Sequence, residues 1–496
     1  MKKLSRNSTY GAILTLALVA SACTAVSEPA STTGSPPQAT MITSTTLDAP
    51  EITTTTAPAT TTTTTVVLSD VEPALTGAAS GDWRLFPGSG NGGYDVTLVD
   101  LTLVLSDDMA QIEGVAAITA HATQDLQRFS LDARDLNIAS VSVGGEEVES
   151  DIVGPELVVT LDDPLAEGDP FTVSVTYSAE PQRYLPPGVP FPMGWDRSSS
   201  GDLLFVHGFP GAAATWAPVN ESKDDPARFI VRIDAPDGLE VTGSGFRSED
   251  GDFVVWDTQQ EIGGSTFAIS DYEQSTIEWN GIPIELDLTP DSPVRDKWSE
   301  LIPEMLDFHE SVFGPFPFER LGISAINGKQ FALSDATRIL IPESMPSPVL
   351  AHELAHQWAG NAVHSTDPET YSWMFEGLAT YAEALFINRD NDSIPDLRFG
   401  VPSETRPLDR VDSVDDLLDA VTYQRGALLY HALRLEIGED AFFDTLREFI
   451  QRNLHGTAEI EDLQAVAEEL SGQDLTAFFT GWVSESAVPE LPPIDG

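Results

Sequence analysis

His352-Glu353-Leu354-Ala355-His356 places two imidazoles one helical turn apart, with a carboxylate beside the first. Residues i and i+4 of a helix share a face with Cβ atoms roughly 5–6 Å apart, so two ring nitrogens can converge on one ion at about 2.0–2.1 Å. That is the donor geometry of a catalytic zinc, and it leaves Glu353 free to work on water. The flanks predict a helix over 347–360. Ser347 is its expected cap, Pro348 takes the first helical position, where its missing N–H costs nothing, and Gly360 closes it. Chance also produces paired histidines at this spacing, so a third donor is required.

Glu376 is the candidate third donor. Met374, Leu378, Tyr381 and Leu385 form an apolar stripe at helical spacing, and Glu376 sits between that stripe and the polar face. His352, His356 and Glu376 would hold one Zn2+ per chain with a fourth position open to water, whose pKa on the metal falls toward ~7. Glu383 follows on nearly the same face, where it could orient a ligand histidine or simply be a surface acid.

The surrounding segments resemble the aminopeptidase N family of zinc metallopeptidases, in a short exported bacterial form. The likeness is carried by His352 to His356, Gln357-Trp358, Gly360-Asn361 and Glu376-Gly377. Gly314-Pro315-Phe316-Pro317-Phe318 resembles the family's segment ahead of the site, and Thr422-Tyr423-Gln424-Arg425-Gly426-Ala427 resembles the stretch bearing its catalytic tyrosine. Thr215-Trp216-Ala217-Pro218 extends the likeness into the first half, so that it covers 90–490. The resemblance implies Glu353 as general base and then general acid, Tyr423 as hydrogen-bond donor to the developing oxyanion, and peptides as substrates. The interval from His356 to Glu376 is one residue longer than the family's usual one, which the loop at 365–370 can absorb.

The likeness breaks where relatives grip the substrate's amino terminus. They place a glutamate in a Gly-x-Met-Glu-Asn-like strand before the zinc helix, and a second acid or glutamine before the Thr-Trp segment. Here the first position falls on Ser334 and the second on Phe209 or Gly211. An ammonium buried without a counter-charge costs several kcal/mol. The sequence therefore predicts weak or altered aminopeptidase activity that extends to blocked or internal bonds, with Asp335, one position along, as the competing counter-charge.

The rest of the chain has to position this site. Residues 1–22, basic at the start and apolar from Ala12 to Ala20, read as a secretory signal. Residues 23–79 are a Thr/Pro-rich linker expected to be disordered, and Cys23, the only cysteine, resembles a lipid-modified anchor. The protein is thus expected at the bacterial cell surface, held to the membrane through that anchor alone, or else secreted. Residues 80–272 alternate apolar and polar side chains, as in Tyr94, Val96 and Leu98, which predicts an antiparallel β-sandwich or saddle. His121 and His207 within it are expected to be ordinary surface or packing residues. From 273 to 490 the period becomes helical, beginning with Val294, Trp298, Leu301, Met305, Phe308 and Val312, in keeping with the thermolysin-like (gluzincin) domain that the resemblance implies.

Acidic residues number 79 against 25 basic ones, for a net charge of −54, which excludes nucleic acid as a partner. Two function classes remain: a working zinc peptidase, and an inactive surface lipoprotein that keeps the fold for binding. Retention of Glu353, Tyr423 and three ligand-type residues together favours the first.

Overall fold

The computed structural model describes residues 71–493, apart from 82, 186–188, 190, 199, 208–210, 223–224, 366 and 391–398. The expected signal peptide, Cys23, most of the expected linker, and Phe209 lie outside the described residues. The end of that linker is already seated on the β-rich half: Thr76 forms a bridge with Arg128, and Gly77 N–H donates to the Arg128 carbonyl at 2.8 Å. No described helix is long and apolar enough to cross a membrane.

Alternation of side chains makes the first half a stack of sheets. Tyr94–Leu105 and Ile112–Ala122 pair antiparallel at the centre of an eight-stranded sheet, turning Leu101, Leu103, Ile112 and Ile118 inward. A five-stranded sheet containing Met193–Arg197, Leu203–His207 and Phe267–Ser270 supplies Trp195, Leu204 and Phe267 to the same core, and a three-stranded sheet contributes Phe129, Leu157 and Val159. Burial of this kind contributes about 25 cal/mol per Å2 of apolar surface, which makes the core the main source of stability in a half with no disulfide. The arrangement is not wholly antiparallel as expected, because Tyr94–Leu105 runs parallel to Ala227–Asp234. Alternation reports which face is buried and carries no information on strand direction.

The second half pairs a mixed five-stranded sheet with helices. Its strands lie in the order Glu273–Trp279, Ile282–Leu288, Leu321–Ala325, Arg338–Ile341 and Leu333–Asp335. The helices are α1 (Arg295–Phe313), α2 (Ser347–Ala355), α3 (Pro368–Ile387), α4 (Val414–Leu417), α5 (Gly426–Ile437), α6 (Glu439–Arg452), α7 (Ile460–Ser471) and α8 (Thr476–Phe479). Trp298, Leu350, Leu354, Trp358, Trp373 and Tyr381 build the core between sheet and helices.

Helix α2 differs from the expected 347–360. It ends at Ala355, where the chain tightens: Gln357 N–H donates to Leu354 and Trp358 N–H to Ala355, each at 3.1 Å. Ser347 does not cap the helix. Pro346 precedes it, and the Ser347 hydroxyl instead accepts a hydrogen bond from Lys297 Nζ at 2.7 Å. Gly360, at φ +122°, then turns the chain into the short strand Val363–His364, a backbone conformation that L side chains rarely adopt.

Candidate metal centre and active site

Helix α2 is buried from Val349 to Ala355, so its reactive residues are carried inside. Val349, Leu350, Ala351, Leu354 and Ala355 are buried together with His352 and Glu353. The turn after Ala355 keeps His356 within reach of the same point: His352 Nε2 and His356 Nε2 lie 3.1 Å apart. Glu376 on α3 brings its Oε2 to 3.3 Å from the first and 3.4 Å from the second.

Among the described residues these three form the group of His, Cys, Asp and Glu side chains whose donor atoms converge closely enough for a metal ion. They fit zinc on the structure's own terms. The Glu376 Oε2 is buried without a hydrogen bond, and two imidazole nitrogens facing each other require a cation or a shared proton between them. His356 Nδ1 lies 2.9 Å from the Ala359 carbonyl, so this nitrogen carries the hydrogen and leaves the Nε2 lone pair for the ion. Glu383 Oε2 stands 3.7 Å from His352 Nδ1, on the side away from the convergence point. Burial depresses the His352 pKa. At His356 burial acts in the same direction but is outweighed, chiefly by the Glu376 carboxylate, which carries the imidazole up to about 9.

Glu353 and Tyr423 face the same space. Burial pushes Glu353 up to about 8, its Oε1 makes no hydrogen bond, and a divalent cation beside it would draw that value down again. Tyr423 sits on the turn Val421–Arg425, a single π-type turn ahead of α5, a distortion often found at functional sites. Burial, then the charges of Glu376 and Glu353, raise its phenol well above the usual tyrosine value. The hydroxyl therefore stays protonated through the neutral range and is a donor with no hydrogen bond of its own.

A backbone crossing holds Glu376 beside Tyr423. A Cβ on Gly377 would lie 2.6 Å from Gly426 Cα, and a Cβ on Gly426 would lie 2.8 Å from the Trp373 carbonyl oxygen. Only glycine at both positions lets α3 and the start of α5 approach this closely. Tyr430 OH donates to the Met374 carbonyl at 2.8 Å and fastens the same crossing.

All five residues singled out from sequence thus reach one cleft of about 510 Å3, lined by residues of both halves. His207, read from sequence as an ordinary residue, lines it too, with Nε2 3.7 Å from an Asp335 carboxylate oxygen. Thr266 Oγ1 donates to the other Asp335 oxygen. No local pattern marks His207 or Thr266, because the strands that bear them meet Asp335 only in the fold. Ser334 also lines the cleft, but its hydroxyl is engaged: it donates to the Glu353 carbonyl at 3.0 Å and accepts from Gln357 Nε2 and Asn361 Nδ2.

Residues 318–482 match the Peptidase family M1 domain. Aminopeptidase M1-C of Oryza sativa subsp. japonica is 30% identical over 157 residues, and aminopeptidase N of Streptomyces lividans is 29% identical over 170. The chain spans about a fifth of the length of these curated relatives, 18% and 19% respectively, and the matches cover 29% of the chain itself. Solved structures reach further. A two-domain M1 zinc metallopeptidase variant bound to L-tryptophan superposes with a TM-score of 0.74 at 26% identity, covering 82% of this chain and 98% of that one. An M1 zinc metallopeptidase variant from Deinococcus radiodurans bound to a Tyr-Ser-Ala substrate gives 0.73 at 26% identity, covering 83% and 99%. Motif, domain match and two-domain fold agree: residues 318–482 match the peptidase family M1 domain, and the chain is similar over most of its length to two-domain M1 zinc metallopeptidases.

Proposed function

We propose that the protein is a zinc metallopeptidase that hydrolyses peptide bonds at His352, His356 and Glu376, with an aminopeptidase N-like mechanism and an altered grip on the substrate's amino terminus. The observation that carries this reading is the convergence of three buried donors with the unpartnered Glu353 Oε1 and Tyr423 hydroxyl on one cleft.

Zinc, when bound, supplies a Lewis acid that polarises a peptide carbonyl and acidifies water. Glu353 takes the proton of the attacking water and hands it to the leaving amine, acting as base and then acid within one cycle. Tyr423 donates to the carbonyl oxygen as it gains charge, and a preorganised donor of this kind is worth roughly 2.7–4 kcal/mol. Glu383 holds the His352 ring from behind. The cleft wall is apolar in part, with Val99, Phe191, Trp216 and Phe229 among its lining residues, a surface suited to apolar parts of a substrate.

Peptides as substrates are supported by the Tyr-Ser-Ala complex of the Deinococcus radiodurans relative. Export, with Cys23 lipid-anchored, is supported by the basic and apolar start of the chain. No feature of the site favours an inactive binding protein, since every reactive group is retained. The test is metal analysis followed by cleavage of a peptide library. About one zinc per chain, loss of cleavage on chelation and recovery on adding zinc are expected; cleavage unaffected by chelation contradicts the reading.

A further inference from the structure

We propose that Arg406 and Asp419 are positioning residues for Tyr423, acting as a clamp that fixes the phenol's turn in its reactive orientation. The inference rests on the role given to Tyr423 above.

A single π-type turn lacks the hydrogen-bond register of the helices around it, so something outside the turn must hold it. Asp419 supplies the first half of that hold. Its Oδ1 accepts the N–H groups of Val421 and Thr422, each at 2.9 Å, which are the first two residues of the turn. Arg406 supplies the second half. Its Nε and Nη2 pair with the two Asp419 oxygens at 3.2 and 2.8 Å, and Nη2 also reaches the Asp416 carbonyl at 2.5 Å and Thr422 Oγ1 at 2.9 Å. Thr422 Oγ1 in turn donates to the Asp416 carbonyl at 2.7 Å. One guanidinium thus ties the Asp416 carbonyl, the Asp419 carboxylate and the Thr422 hydroxyl together beside Tyr423.

The planar fork of arginine makes this geometry possible, and a lysine point charge could pair with Asp419 without spanning the other acceptors. The arginine side chain is 15% exposed, so the pair is not a freely screened surface ion pair. Neither residue lines the cleft, so the clamp acts on the reaction through the turn, although the Asp419 charge also lies near enough to help raise the Tyr423 phenol. An error of about 1 Å in the placement of a reacting group can cost on the order of 100-fold in rate, which is the scale on which such a clamp matters.

A double-mutant cycle on the zinc-loaded enzyme tests this. Arg406→Ala is expected to lower kcat at least about 10-fold with KM within about twofold and zinc content unchanged, and Arg406→Lys to recover part of the loss. In a Tyr423→Phe background, Arg406→Ala should lower kcat by less than about twofold, because the group it positions is gone. Equal losses in both backgrounds would overturn the clamp while leaving the role of Tyr423 standing. Full activity in Tyr423→Phe alone would overturn that role, and the clamp with it. Should Arg406→Ala fail to fold, Asp419→Asn is the substitute: it keeps an acceptor for the turn and weakens the pair, and the same non-additivity with Tyr423→Phe is required.

Discussion

The Ser334 hydroxyl donates to the main-chain carbonyl of Glu353 at 3.0 Å, tying the strand Leu333–Asp335 to the back of the residue that carries the base. The position where relatives place a glutamate for the substrate ammonium is thereby spent on the scaffold, and Asp335 is engaged by Thr266 with His207 beside it. Acetylating the amino terminus of a matched peptide should therefore change kcat/KM by less than about tenfold. A loss of about a hundredfold or more would mean that ~2.7 kcal/mol of ammonium recognition survives. Asp335→Asn would then show whether Asp335 supplies it.

Tyr423→Phe keeps the ring and removes only the donor. Its kcat should fall by about 10²–10³ with KM little changed, since the hydrogen bond is made to charge that develops during the reaction. An equal rise in KM with unchanged kcat would show instead that the hydroxyl binds the ground state.

Gly377→Ala tests the crossing of α3 and α5. The added methyl meets Gly426 Cα at 2.6 Å, and backbone cannot swing aside as a flexible side chain would. Overpacking of this kind typically costs about 1–3 kcal/mol. Thermal unfolding should shift down and zinc affinity should weaken, because Glu376 is the neighbouring residue; an unchanged melting temperature would contradict the close approach.

A second group of acids, remote in sequence, sets a pH dependence of stability. Asn91 Nδ2 bridges Asp132 and Glu156, and Glu221 accepts the Gly211 and Ala213 N–H groups. Burial raises Asp132 to about 6; burial and then the Asp132 charge raise Glu156 to about 7 and Glu221 to about 8. In the unfolded chain such groups titrate near ~4. Between those limits the folded state keeps protons that the unfolded state has released, so this group's contribution is fully present below about pH 4 and is lost as pH rises toward 8. Glu156→Gln removes one member, and the decline in melting temperature from pH 5 to 8 should be shallower than in the parent. An identical slope would contradict this.

The site was legible where local geometry fixes it. Helical spacing alone brings His352 and His356 together, and the stripe around Glu376 places that residue on the edge of a helix facing them. Tyr423 was legible only through family resemblance, because nothing local distinguishes it from a packed aromatic. His207 and Thr266 carry no local signal, since each meets Asp335 from a segment far along the chain, and Arg406 finds Asp419 across an irregular stretch that no periodicity reports. The same limit explains the parallel pairing of Tyr94–Leu105 with Ala227–Asp234, whereas the early end of α2 is a local tightening at Gln357 and Trp358 that the helical spacing does not reveal.

The central claim, that a metal-centred peptidase works through Glu353, is tested most directly by Glu353→Gln measured for both zinc content and peptide hydrolysis. Glu353 is not one of the three ligand residues, and its Oε1 is unpartnered, so its shape can be kept while the proton acceptor is removed. About one zinc per chain with hydrolysis reduced by at least 10²–10⁴-fold is the expected result. Hydrolysis at the parent rate, with zinc still bound, would contradict the account.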